Sequence, residues 1–148
     1  MVRRIACGTL LCAMAGLAGA CGDTTTAPTP APTPITESFD GTLNPAGTNV
    51  HAIVAALTGG AVTATLTVVG PDATKTIGFS LGTFNPTTNV CTVVFDNPAA
   101  LPGAVFNATA STAGFYCARV YDNGSVAAAA ADGSASSFTY TVTVAHPQ

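Results

Sequence analysis

Two histidines, His51 and His146, are the only side chains of this 148-residue chain whose ordinary pKa lies near neutrality, and they bound the acid-base chemistry it can perform. A hydrolase needs a nucleophile, a base and an orienting group within reach of one another. His146 stands in the terminal His-Pro-Gln and is expected to be mobile, whereas His51 falls on a predicted strand, where a partly buried, hydrogen-bonded imidazole is the expected state. No His-Glu-x-x-His motif and no phosphate-cradling glycine loop occurs. Glu37, Asp40, Asp72, Asp96, Asp122 and Asp132 are placed at strand ends or turns, where local backbone donors occupy a carboxylate. Glycoside cleavage would need two of them facing each other across a cleft, and Asp72 with Asp122 is the pair that turns at one end of a sandwich would present. Calcium needs six to eight converging oxygens, and no loop supplies them. Arg119 is expected to complete a cross-strand ion pair. No catalytic residue, metal site or cofactor is therefore expected.

The five cysteines sort by position. Met1 to Arg4 is short and basic, and Ile5 to Ala20 is apolar and small. That run of 16 residues is shorter than the ~20 a permanent bilayer-crossing helix needs, so residues 1–20 read as a signal peptide that takes Cys7 and Cys12 with it. Leu17-Ala18-Gly19-Ala20 before Cys21 resembles the lipobox of bacterial lipoproteins. The resemblance implies that Cys21 is acylated, becomes the mature N-terminus and anchors the chain to a membrane. The usual large aliphatic residue lies three places before the cysteine, whereas here Leu17 lies four before it; the alternative is ordinary cleavage near Ala20 and a secreted product. Cys91 and Cys117 alone remain in the folded region, and in an oxidising compartment they are expected to pair. Closing that loop stabilises a fold by about 3.5 kcal/mol on the chain-entropy view. They lack the paired short spacings of a zinc site.

Composition agrees with export. The chain is 48% hydrophobic and only 7% charged, so its solubility must come largely from Thr, Ser, Asn and Gly. Without Arg3 and Arg4, only Lys75 and Arg119 stand against seven acids, a balance near -5. Nucleic acid is excluded as a partner, because a phosphate backbone needs clustered cations.

These side chains need elements to position them. Residues 21–36 read as a lipid-anchored linker: Pro28, Pro30, Pro32 and Pro34 alternate with Ala and Thr, which favours extended polyproline II and forms no core. Residues 37–148 read as one all-β domain, an antiparallel β-sandwich or jelly roll of about eight strands. Val62, Ala64, Leu66 and Val68 alternate with threonines, as do Phe138, Tyr140, Val142 and Val144, so each segment has one buried and one wet face. Weaker strands are predicted over 39–43, 50–54, 76–81, 91–95, 104–110 and 115–121. Asn44-Pro45-Ala46-Gly47, Gly59-Gly60, Gly70-Pro71-Asp72, Asn85-Pro86, Asn97-Pro98 and Asp122-Asn123-Gly124 punctuate them as turns. Ala127 to Ala131 is too short for an independent helix and reads as a loop insertion.

Phe39-Asp40-Gly41-Thr42-Leu43, Val50-His51-Ala52, Gly114 to Asp122 and Tyr140 to Val144 together resemble the bacterial pre-peptidase C-terminal domain, a β-sandwich of exported proteins. The resemblance spans most of Ser38 to Val144. The family's aspartate-rich central strand is not evident at 76–81, so the calcium site it implies is not expected here. The reading that follows is a noncatalytic cell-envelope or surface lipoprotein, a binding or structural module for adhesion or envelope organisation, with a surface glycan or protein as ligand. Its place would be the outer membrane or cell surface, or the periplasm or medium if unlipidated. The alternative is a carbohydrate-binding accessory of a secreted hydrolase, which calls for two or three aromatics on one face; the chain has no Trp.

Overall fold

Period-two runs of Val, Ala, Leu and Thr, broken by Gly, Pro, Asn and Asp, leave strands as the elements the chain can form. A computed structural model describes residues 33–55, 58–127 and 136–148. Its elements are β1 (Pro34–Leu43), β2 (Thr48–Ala55), β3 (Ala61–Gly70), β4 (Ile77–Asn85), β5 (Val90–Ala100), β6 (Val105–Thr109), β7 (Gly114–Tyr121) and β8 (Phe138–Pro147). Each of the eight segments expected from the sequence overlaps one of these. They form two four-stranded antiparallel sheets, ordered β1-β8-β3-β6 and β2-β7-β4-β5. The pairs β1 with β8, β2 with β7, β3 with β6 and β4 with β5 are those of one long hairpin wrapped around a core. The sandwich is therefore a jelly roll.

The core forms where the inward residues of the two sheets meet, with Leu66, Val142 and Val144 from one and Ile53, Phe79 and Val120 from the other fully buried. On β8 the alternation runs as expected. On β3 a register shift between Leu66 and Val68 reverses the phase, so that Val69 is buried and Val68, expected inside, is 48% exposed. Residues 77–82 of the central strand β4 are buried on both faces, because Tyr121, Arg119 and the end of the β4–β5 hairpin cover its outer side.

Two boundaries and one turn differ from the sequence reading. β1 begins at Pro34, inside the expected linker, and β8 continues through Pro147, because Pro34 to Glu37 pair with Pro147 to Val144 and extend the inward face by one more pair. Asn97-Pro98, expected as a turn, lies within β5. β5 is an edge strand with a register shift at this point, so the missing N–H of Pro98 breaks no ladder bond. The signal peptide, Cys21, the linker as far as residue 32 and Asp132 lie outside the described residues. Ala31–Gln148 form a compact unit that contains all eight strands of the described residues.

Cys91 and Cys117 form a disulfide with their Cα atoms 5.9 Å apart. They sit on β5 and β7, which flank β4 and would stand about 9.6 Å apart in a flat sheet. The hairpin end must therefore fold over β4. A register shift between Leu81 and Gly82 supplies the bend, and Gly82 supplies the room, since a Cβ there would overlap the carbonyl oxygen of Thr92.

Candidate functional site

Along β7, burial of Ala118 and Val120 turns Cys117, Arg119 and Tyr121 to the outer face. The register sets Arg119 opposite Ser80 and Ser80 opposite Asp96, making a polar row across three strands. Ser80 donates to Asp96 Oδ1 at 2.6 Å and accepts from Arg119 Nε at 3.3 Å, Tyr121 donates to the same carboxylate at 3.1 Å, and Arg119 lies 3.7 Å from it. The guanidinium also stacks 4.6 Å from the Tyr121 ring centroid. Desolvation first, then the hydrogen bond and negative charge of Asp96, raise the Tyr121 pKa. The expected cross-strand ion pair of Arg119 is present. Asp96, expected at a strand end, lies instead inside β5, and Glu37 and Asp40 lie inside β1.

Gly78-Phe79-Ser80-Leu81-Gly82 also carries the Gly-x-Ser-x-Gly spacing of a nucleophile elbow, a match passed over in the reading of the sequence. An elbow needs a sharp strand-to-helix turn that exposes the serine. Here the segment is mid-strand, Ser80 is fully buried, and its hydroxyl is engaged by a carboxylate and a guanidinium. The glycines have packing roles of their own: a Cβ on Gly78 would overlap the Tyr121 ring, as one on Gly82 would overlap Thr92.

His51 points inward from β2, stacked on Phe39 at 4.9 Å, with Nε2 2.8 Å from the Tyr140 hydroxyl. Desolvation lowers its pKa. Among the described residues no serine, threonine or carboxylate is hydrogen-bonded to it. His146, expected in a mobile tail, is fully buried on β8, with Nδ1 3.3 Å from the carbonyl oxygen of Pro147 and Nε2, which has no hydrogen-bond partner, 3.7 Å from Glu37 Oε2. The tail is ordered because β1 pairs with it to the end.

Asp72 and Asp122 are each engaged by donors of the turns around them. Asp72 accepts from the N–H and hydroxyl of Thr74. Asp122 accepts from the N–H groups of Ala46, Gly124 and Val126, joining the β1–β2 turn to the segment after β7. Among the described residues no three His, Cys, Asp or Glu side chains converge as metal ligands.

Among the described residues a hollow of about 340 Å³ opens beside Asp40, Val68 and Tyr140, and a more enclosed cleft lies between the two sheets where edge strands β5 and β6 fail to cover each other. β5 has 11 residues and β6 only 5. The cleft encloses about 290 Å³ and is lined chiefly by Leu81, Val94, Phe95, Ala108 and Tyr116, with the hydroxyl side chains Thr83, Thr109 and Ser111. Phe106 backs it, 5.9 Å from Phe95 and 5.2 Å from Phe79 between ring centroids. Val94 is 63% exposed and Phe95 40%, while Leu81 forms a buried floor. The sequence reading missed this site, and the signal it offered was the unalternating Val93-Val94-Phe95, which puts apolar side chains on both faces of an edge strand.

No family model matches the chain, so the resemblance to the pre-peptidase domain rests on the residues quoted for it. No curated protein matches it in sequence. Among solved structures, the Yersinia pseudotuberculosis-derived mitogen is similar at 15% identity and a TM-score of 0.51, over 77% of this chain and 87% of that one. PliG from Aeromonas hydrophila, a periplasmic inhibitor of g-type lysozyme, is similar at 17% identity and a TM-score of 0.45, over 74% of this chain and 85% of that one. The mitogen shares the fold, and at such identity a shared fold carries no function.

Proposed function

We propose that this chain is an exported, noncatalytic binding module of the cell envelope, held at a membrane by a lipid on Cys21 and offering the β5–β6 cleft as its binding site. One observation carries the reading: the more enclosed concavity, the β5–β6 cleft, stands apart from the acids, histidines and cations, whereas Asp40 borders only a more open hollow beside β1, β3 and β8. The cleft is lined by no acid, histidine or cation, whereas Asp72, Asp96, Asp122 and His51 are each engaged in hydrogen bonds that hold the fold. An apolar concavity without acid-base groups suits binding rather than turnover. The export signal and the Pro/Thr linker support the address, and the Cys91–Cys117 disulfide agrees with an oxidising compartment.

Purified protein assayed against peptidase, esterase and glycosidase substrates is expected to show no turnover. Reproducible turnover that disappears in His51→Ala or Asp122→Asn would replace this reading with an enzymatic one.

A further inference from the structure

The β5–β6 cleft is more selective than a generic apolar surface. We infer that it binds a neutral, unbranched hydrocarbon chain, such as the acyl or alkyl part of a lipid-like molecule, with its polar end left at the hydroxyl-lined mouth; this rests on the reading of the cleft as the binding site. Three properties of the wall point to that occupant. First, the volume of about 290 Å³ lies at the lower end of small-ligand pockets, enough for one short chain and not for a polymer. Second, the polar side-chain groups of the wall are the hydroxyls of Thr83, Thr109, Ser111 and Tyr116, with no carboxylate, amide or guanidinium. The Tyr116 hydroxyl is already committed, donating to the carbonyl of Thr112 at 2.8 Å. A sugar brings several hydroxyls that must exchange water for protein partners, and three side-chain hydroxyls leave most of them unpaired at a desolvation cost. A hydrocarbon chain brings no such demand, and a single hydroxyl or ester at its end is matched by what the mouth offers.

Third, charge selects against an ionised head group. No cation lines the cleft, and the chain after the signal carries an excess of acids, so a carboxylate or phosphate entering it would be neither paired nor attracted. The opening itself follows from the fold: Ala108 on the short strand β6 is too small to meet Val94 and Phe95 across the gap, and a chain lying between them would restore the packing that the sandwich has over Phe79 and Phe106.

The test uses the chain from Cys21 onward with Cys21→Ser, so that it carries no lipid, exported to an oxidising compartment to form its disulfide. Titration with 1-butanol, 1-hexanol and 1-octanol is followed by NMR shifts of Leu81, Val94 and Ala108. Saturable shifts at those residues are expected, with affinity rising by up to roughly fourfold per added methylene. Val94→Asp, a change at an exposed site, is expected to weaken octanol binding tenfold or more. Val54→Asp, at another exposed position, on β2, should leave it unchanged. Octanoate should bind more weakly than octanol, and methyl glucoside should not shift the cleft. Shifts at the cleft with methyl glucoside and none with octanol would overturn the hydrocarbon assignment while leaving a binding module in place. Octanol shifts scattered over Val50, Val54 and Phe115, or no saturable response to any alcohol, would overturn the inference outright.

Discussion

At His51 the imidazole is held between the Phe39 ring and the Tyr140 hydroxyl, and both contacts suit its neutral form. The Tyr140 hydroxyl can donate to Nε2 when His51 is in its Nδ1-protonated tautomer. Desolvation lowers the pKa of His51 below 6.5, which means that the unfolded chain takes up a proton more readily than the folded one. Its contribution to stability is therefore complete above the unfolded value and is lost as pH falls through that value towards the folded one. Replacing it with glutamine, whose amide oxygen can accept the Tyr140 hydrogen, should remove this dependence. Thermal unfolding of wild type and His51→Gln between pH 7.5 and 5.5 is expected to show the smaller fall in Tm for the variant. Equal falls would mean that desolvation of His51 does not enter the stability. Asp122 acts in the same direction at lower pH. Burial alone would raise its pKa, but N–H donors from Val126, Ala46, Gly124 and Ser125 outweigh that and lower it, so its contribution is present above the ordinary carboxylate range and lost as acid protonates it.

The terminal half-turns of β1 and β8 show how much of an element alternation alone can reveal. Ala61 to Val69 and Phe138 to Val144 were legible because apolar residues alternate with threonine, and the structure departs from that pattern at the bulge before Val68. Pro34 to Glu37 and Ala145 to Pro147 carried no such signal: proline and histidine read as linker and tail, and only pairing with each other makes them strands. The cleft was hidden for a related reason, since it depends on the unequal lengths of β5 and β6 rather than on any motif. The Gly-x-Ser-x-Gly spacing shows the reverse case, in which glycines required by Tyr121 and Thr92 imitate a catalytic turn. If the tail is structural, deleting residues 145–148 should cost stability. The deletion uncovers Gly60, against which Pro147 packs, and removes the ladder partners of three β1 residues, Pro34, Ile35 and Thr36. A loss of roughly 2–3 kcal/mol is expected from the lost burial, measured by urea unfolding with the disulfide intact. A change below about 0.5 kcal/mol, the range of ordinary surface substitutions, would return the tail to the mobile state first expected of it.

Across the whole molecule, the strands have two ends with different duties. The chain enters the sandwich at Pro34, beside Pro147 and the starts of β3 and β7, and the cleft residues Thr83, Thr109 and Tyr116 lie towards this end. At the opposite end the β1–β2 turn, the β3–β4 loop and the segment after β7 are cross-braced by Asp122 and by Asn123, which donates to Thr76 and to the carbonyl of Pro98. Under the proposed acylation of Cys21, the tether would join the domain at its entry end. The mature chain extracted from membranes is accordingly expected to begin at Cys21 and to carry acyl groups there, seen as a mass excess confined to the N-terminal peptide. Stable anchoring takes two hydrophobic chains rather than one, so the excess should correspond to at least two acyl groups. Cys21→Ser should move the protein from the membrane to the soluble fraction without changing its unfolding midpoint, since the strands among the described residues all lie beyond residue 33. An unmodified Cys21, or a mature chain that starts elsewhere, would remove the anchor and leave a secreted jelly roll whose cleft must meet its ligand in solution.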